Sequence, residues 1–451
     1  MQDNMTEEIV NKRRALLVGV NIAGDRDFDK SFAELGSLAE ANYYEVAASA
    51  FQNAQKVNKA LYIGSGKADE IKEIIKNENI DIVIFNNELS PIQFKNLEEK
   101  FGKEVIDRTG LILQIFSDRA KTREAKLQVD VARLEYMLPR LSHMHSDLGR
   151  QGGGSGLSNK GSGEKRIELD RRRIEEKLDM LKKELDKLSN IRTTQRKKRA
   201  KSNIPRVALA GYTNAGKSTV LNEIIKTYNS KIINDDLDET NDNQYENINE
   251  DNKLKTVFEK DMLFATLETA TRLIDLDNNK TFFLSDTVGF IRQLPHNLIK
   301  AFRSTLEEIK EADLIVEVVD YSDPDYINHI EVTDKTLKEI GASDIPVLYV
   351  YNKSDKCEGE YPFAFNDKAY ISAKETDSIK VLVDEISKRI FASHKKCVMH
   401  IPYSDGSVVS YLNDTATVYN MAYDETGTIL NLELNEADYN KYKKYTMDEG
   451  E

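Results

Sequence analysis

Cysteine is nearly absent: Cys357 and Cys397 are the only two in 451 residues, and they stand far apart. That leaves neither a disulfide framework nor a zinc knuckle. Apolar runs approaching the ~18–20 residues that span a bilayer are also missing, and the mean hydropathy is −0.55. The opening MQDNMTEEIVNKRR lacks the apolar core of a secretion signal. The expectation is a cytosolic chain. Positive charge is in deficit, with 64 Lys and Arg against 77 Asp and Glu and a net charge of −13. A simple polybasic nucleic-acid binder is thereby excluded, and any RNA contact must come from a local basic patch. What is present is a globular composition, 40% hydrophobic and 31% charged. The length suits roughly two to four domains.

From Arg14 to Phe116, β-rich runs alternate with helical ones. ALLVGV (15–20), ALYIG (60–64), DIVIFNN (81–87) and EVIDR (104–108) read as strands. SFAELGSLAEANYYEVAASAF, GKADEIKEIIK and SPIQFKNLEEKF read as helices. This alternation predicts a parallel sheet with packed helices. Gly64-Ser65-Gly66-Lys67 is a strand-to-helix turn, because Leu61 and Ala68 break the full phosphate-loop pattern. Leu127, Val131, Leu134, Leu138 and Leu141 then form a heptad-like stripe, as do Ile174, Leu178, Leu181, Leu185 and Leu188. The glycine-rich segment 149–163 separates them, which predicts an antiparallel helical hairpin with a loop at its tip. Residues 151–202 carry 16 Lys and Arg against 8 Asp and Glu. Such a run either solvates a coiled-coil surface or contacts RNA phosphates. The RNA candidates are Arg150, Gly152, Gly153, Gly154, Lys160, Lys165, Arg166, Arg171, Arg172 and Arg173.

The strand RVALAG runs into Gly211-Tyr212-Thr213-Asn214-Ala215-Gly216-Lys217-Ser218, followed by Thr219 and a helical run. This is the GxxxxGK[ST] phosphate loop in its required strand-loop-helix setting. Backbone amides face the phosphates, Lys217 bridges the β- and γ-phosphates, and the Ser218 hydroxyl ligates Mg²⁺. TFFLSD ends in Asp286-Thr287-Val288-Gly289, where Asp286 holds Mg²⁺ through water and the Gly289 amide meets the γ-phosphate. Phe264-Ala265-Thr266-Leu267-Glu268 reads as the first switch, with Thr266 supplying a second Mg²⁺ hydroxyl. PVLYVY ends in Asn352-Lys353-Ser354-Asp355. A carboxylate at Asp355 accepts from guanine N1–H and the N2 amine, donors that adenine lacks there. Lys353 packs along the base, Asn352 braces the loop, and an amide of Ser372-Ala373-Lys374 meets the guanine carbonyl. Five segments in this order identify a GTP site, with Lys217, Thr266 and Gly289 as its catalytic set. Phe290 follows Gly289 where many small GTPases carry a water-orienting Gln. Unassisted hydrolysis is therefore expected at or below about 10⁻⁴ s⁻¹, with a partner completing the site.

The chain resembles the HflX family of ribosome-associated GTPases over nearly its whole length. The resemblance rests on GYTNAGKST, LFATLE, YIGSGKADEI, DRTGLILQIF, TREAKLQVDVARLEYMLPRL, ELDRRRI, DTVGFIRQLPHNLIKAFRSTLEE and IPYSDGSVVSYL. It implies an α/β protein: an N-terminal α/β domain (1–118), a long antiparallel helical hairpin (119–202), a P-loop GTPase domain with a mixed, mostly parallel sheet (203–395), and a small C-terminal α/β domain (396–451). It also implies a GTP-dependent switch that binds the large ribosomal subunit near the peptidyl transferase region and dissociates or rescues stalled ribosomes under stress. GTP, GDP and Mg²⁺ are the expected ligands; DNA and membrane insertion are not expected, and a monomer is. This chain departs from the family at Gly161-Ser162-Gly163-Glu164, where Pro is usual, and at Glu268-Thr269-Ala270, where Asp-Pro-Thr is usual.

Residues 234–252 hold 8 Asp and Glu, 6 Asn and no Lys or Arg. They read as a disordered acidic insertion, either a tolerated surface feature or a screen between the switch and RNA. His143 and His145 lack further ligands for a metal site. Asp320, Asp323 and Asp325 read as loop caps, and the segments CVMHIPY, VVSYLND, ATVYNMAY and TILNLEL as antiparallel strands. Tyr403, Tyr411, Tyr419 and Tyr423 are expected in core and sheet packing. Two other classes remain: an RNA or ribosome chaperone stabilised by nucleotide, which an intact Thr266 and Asp286 argue against, and a membrane-docked GTPase, for which no basic amphipathic segment is evident.

Overall fold

Four short apolar runs in the N-terminal part pair into one sheet. In the computed structural model they are β1 (Arg14–Ile22), β2 (Glu45–Ala54), β3 (Ile82–Phe85) and β4 (Glu104–Asp107), all parallel in the order β2-β1-β3-β4. The structure describes residues 12–22, 25, 27–144, 160–200, 204–233, 245–247, 263–264, 270–276, 279–293 and 308–447. Contacts divide the chain into two units, Met1–Ile191 with Asp261–Leu267 and Arg292–Arg303, and Arg192–Lys260 with Glu268–Ile291 and Ser304–Glu451.

In the first unit, every residue of β3 is buried, as expected of a strand covered on both faces. Helices α1 (Phe28–Ala41), α2 (Ser65–Asn77), α3 (Pro91–Phe101) and α4 (Arg108–Arg119) accompany the strands. A Ser90–Gln93 capping box starts α3 and Gly102, at φ +65°, ends it. Two expectations fail here. EVAASAF is a strand instead of the end of a helix: α1 stops at Ala41, Tyr43 takes φ +60°, and β2 then pairs along the length of β1. ALYIG is a turn instead of a strand. Asn58 Oδ1 accepts from the amides of Ala60 and Leu61, so the chain reverses before a ladder can form.

Helices α5 (Arg123–Met144) and α6 (Lys160–Ala200) follow. Leu127, Val131 and Leu181 are buried together, with Leu134, Leu185 and Leu188 packed around them, and Lys182 pairs with Glu135 at 2.7 Å. The two stripes do meet. Asp107, fully buried, anchors α5 to the sheet by accepting from Tyr136 Oη (2.7 Å) and Arg140 Nη2 (3.2 Å).

In the second unit, a nine-stranded sheet runs β12-β13-β11-β10-β5-β9-β8-β6-β7. Its strands are β5 (Arg206–Ala210), β6 (Asn229–Ile233), β7 (Tyr245–Asn247), β8 (Ala270–Asp275), β9 (Thr281–Asp286), β10 (Leu314–Asp320), β11 (Val347–Asn352), β12 (Phe363–Phe365) and β13 (Lys368–Tyr370). The five from β13 to β9 are parallel and the outer ones antiparallel. Helices α7 (Lys217–Thr227), α8 (Tyr326–Ile340) and α9 (Thr376–Ile390) belong to this unit. The acidic insertion is not wholly irregular, because Tyr245–Asn247 pair antiparallel with β6. Its other residues lie outside the described set.

The same unit holds a three-stranded antiparallel sheet, β14 (Lys395–Pro402), β16 (Gly427–Leu434) and β15 (Thr417–Tyr423) in that spatial order, with α10 (Gly406–Thr415) and α11 (Glu436–Tyr442). VVSYLND is thus helical rather than a strand. Val408, Val409, Leu412 and Ala416 recur at helical spacing and meet the strands' apolar face. The tyrosines are a partial correction: Tyr419 and Tyr423 lie on the sheet, in β15, but they, Tyr403 and Tyr411 are all exposed, since Met399, Ile401, Leu412, Leu430, Leu432 and Leu434 fill this small core. No described helix is long and apolar enough to cross a membrane.

Candidate functional site

Three positive-φ residues shape the loop after β5: Gly211 (+135°), Asn214 (+62°) and Gly216 (+97°). A Cβ on Gly211 would stand 2.2 Å from the Val318 carbonyl oxygen, and one on Gly216 2.3 Å from Asn352 Nδ2. Only glycine fits either place. The turn delivers Lys217 and Ser218 into the first turn of α7, whose unpaired amides favour anions.

Lys217 is buried, and its Nζ donates to the carbonyls of Gly211 (3.0 Å) and Tyr212 (2.8 Å). Burial pushes its pKa down to about 8, against the opposing pull of Asp286. Ser218 Oγ donates to Asp286 Oδ2 at 2.9 Å. That pair is a set of hard oxygen donors at the mouth of an anion-binding turn, and it fits Mg²⁺.

The segment after β9 lies tightly on the loop. A Cβ on Gly289 would meet Thr213 Cγ2 at 2.7 Å and Lys217 Nζ at 3.0 Å. Thr287 Oγ1 donates to the Leu209 carbonyl at 2.6 Å, and Val288 is buried. Phe290 N donates to the Gly211 carbonyl (3.1 Å), while Thr213 N donates to that of Phe290 (2.8 Å). This backbone bridge was not legible beforehand. It makes Phe290, 2% exposed, a fastener between the loop and the 286–290 segment. Its ring offers water no hydrogen bond.

At the other end, Asn352 joins three segments: Nδ2 donates to the Ala215 carbonyl and Oδ1 accepts from Ala373 N, both at 2.9 Å. Lys353, at φ +63°, donates to the Asn214 carbonyl (2.9 Å) and to Asp320 Oδ2 (2.7 Å). Asp320 is therefore more than the loop cap read from sequence, although it also accepts from Ser322 N. Asp355 is exposed on the single turn Ser354–Lys356, which Ser354 N fixes by donating to the Ile371 carbonyl (3.0 Å). Ser372 N donates to Ser378 Oγ (3.1 Å), and Lys374 is exposed.

The phosphate loop with Thr219, the segment 286–289, the turn 352–355 and the segment 372–374 thus gather at one end of one sheet. Phe264 belongs to the first unit, where it is buried edge-on to Phe116 with centroids 4.7 Å apart. Ala265, Thr266, Leu267 and Glu268 lie outside the described residues, as do Arg150, Gly152, Gly153 and Gly154. Lys160, Lys165 and Arg166 belong to α6, but their side chains are outside the described set. Arg171, Arg172 and Arg173 are exposed on the same helix, Arg171 bonded to Glu175 (2.9 Å) and Arg173 to Asp170 (3.5 Å).

The Lys217 pKa carries a pH signature. A phosphate paired with this ammonium would need it protonated, and burial puts its pKa at about 8 in the nucleotide-free protein. Binding then takes up a proton, so GDP affinity falls as pH rises through this value, approaching about tenfold per unit. Calorimetry at pH 7 to 9 in buffers of different ionisation enthalpy reads both the affinity and the proton uptake. A flat affinity would contradict the assignment.

Residues 29–117 match the family described as GTP-binding GTPase N-terminal, 119–199 that described as GTP-binding GTPase Middle Region, and 206–353 that described as 50S ribosome-binding GTPase. GTPase HflX of Caldanaerobacter subterraneus subsp. tengcongensis is 38% identical over 432 residues, covering 96% of this chain and 93% of that protein. GTPase HflX of Escherichia coli K12 is 33% identical over 422 residues, 92% of each. A GTP-binding protein of Sulfolobus solfataricus, solved with GDP, is 25% identical with a TM-score of 0.42, covering 83% of this chain and 99% of that one.

Proposed function

Because the chain belongs to the HflX family of GTPases, and so binds guanine nucleotide and hydrolyses GTP, we propose that it is a switch docking on the large ribosomal subunit to dissociate or rescue stalled ribosomes under stress. The match of residues 206–353 to a ribosome-binding GTPase family carries this reading. In it, the chain acts as a cytoplasmic monomer of four modules, 1–118, 119–202, 203–395 and 396–451. The hairpin tip and Arg171, Arg172 and Arg173 face ribosomal RNA near the peptidyl transferase region.

Within the site, the amides of the phosphate loop hold the β-phosphate. Lys217 leaves the two carbonyls on which it rests and moves to the β- and γ-phosphates, where charge builds during hydrolysis. Ser218, Thr266 and, through water, Asp286 would hold Mg²⁺, which would supply neutralisation of the phosphate oxygens. The Gly289 amide meets the γ-phosphate. Asp355 and the Ala373 backbone select guanine, with Asn352 bracing both. Phe290 excludes water from the loop contact and leaves orientation of the attacking water to the docked ribosome.

Co-sedimentation with large subunits in GTP, in a non-hydrolysable analogue and in GDP tests the switch. Retention with the first two and release with GDP is expected. Equal retention in all three states would instead make the protein a nucleotide-stabilised ribosome chaperone, and no retention would remove the ribosomal partner.

A further inference from the structure

Tyr212, second in the phosphate loop, is only 7% exposed. Its ring lies flat on the imidazole of His329, from the first turn of α8, with centroids 3.9 Å apart and planes at 13°. Phosphate binding by backbone amides does not require such a pair. His329 is itself anchored. Its N donates to the Asp325 carbonyl (3.2 Å) and its own carbonyl accepts from Thr333 Oγ1 (2.9 Å). Its ring nitrogens stand 4.0 and 3.9 Å from the carboxylates of Asp323 and Asp325. The stretch 320–329 reaches the loop a second time through Asp320, which accepts from the Lys353 ammonium bonded to the Asn214 carbonyl. The loop is braced at residue 212 by a ring and at residue 214 by a charge.

This bracing has a purpose in the loop's backbone. Three of its residues hold positive φ, and fixing them when the nucleotide arrives would subtract from the binding energy. We propose that His329 is a positioning residue for the nucleotide: by stacking on Tyr212 it holds the phosphate loop in its receiving shape beforehand. In this role it acts through Tyr212 and not through contact with the nucleotide or the metal-binding hydroxyls. A preformed amide array serves bound GTP and the transition state alike, so the stack acts on affinity and leaves the chemical step alone.

The test uses the full chain, with GDP titration and steady-state GTP hydrolysis. His329→Ala raises the Kd for GDP and the KM for GTP together by about threefold to tenfold, the range of one aromatic stack, while kcat holds. His329→Phe, which keeps a flat ring, restores the affinity. Adding His329→Ala to Tyr212→Leu costs nothing beyond Tyr212→Leu alone, because the partner ring is already gone. Unchanged affinity in His329→Ala, a parallel fall in kcat, or equal weakness of His329→Phe overturns the proposal. Thermal melting checks that each variant folds. Should His329→Ala fail to fold, His329→Phe against His329→Leu repeats the comparison of a ring with an aliphatic chain, and equal affinities overturn it.

Discussion

Lys217→Ala reduces single-turnover GTP hydrolysis by about 10²–10³-fold, the size expected when one preorganised charge is removed from a transition state. The residue is buried with its Nζ on two loop carbonyls, so its charge already points into the turn before nucleotide binds. Alanine leaves the fold intact, since the Gly211 carbonyl keeps its bond from Phe290 N. Lys217→Arg fails to rescue. The ammonium is a compact point charge buried on two loop carbonyls, and a broader planar guanidinium does not reproduce that arrangement. Rapid-quench assays with saturating protein measure the chemical step. A Lys217→Ala rate within tenfold of the parent would deny Lys217 its assigned role.

Asp355→Asn moves the base preference from guanine to xanthine. In the proposed site the carboxylate of Asp355 would accept two bonds from guanine, from N1–H and the N2 amine. An amide offers one donor and one acceptor, which suits the N1–H and C2 carbonyl of xanthine. Leaving guanine's amine opposite an NH₂ group should weaken GTP by about 10²–10⁴-fold, the scale for an unpaired polar group enclosed by ligand. The substitution leaves the turn in place: Asp355 is exposed, and the 354–356 turn is held by the bond from Ser354 N to the Ile371 carbonyl. Competition binding with GTP and xanthosine triphosphate gives both numbers. An unchanged preference would show that another group reads the base.

The phosphate loop was legible from sequence because its chemistry is a backbone requirement. Gly211 and Gly216 stand where any side chain would strike the Val318 carbonyl or Asn352, so residue type and geometry are one constraint. The buried strand TFFLSD was legible for a similar reason, since its apolar core Phe282-Phe283-Leu284 is enclosed on both faces. EVAASAFQNA was not, because its alanines suit a helix as well as a strand, and pairing with β1 decides between them. VVSYLND failed the other way: its β-branched residues suggest a strand, while the spacing of Val408, Leu412 and Ala416 suits one helical face.

The sequence alone determined that a glycine turn, a lysine and a hydroxyl stand together, because those groups follow one another at fixed spacing along strand, loop and helix. Tertiary structure decided what steadies them. Phe290 fastens to Gly211 and Thr213, and His329 lies on Tyr212, across more than seventy residues of chain in each case. Such contacts carry no local signature: a flat ring or a backbone amide finds its partner only once parallel strands have brought their ends together.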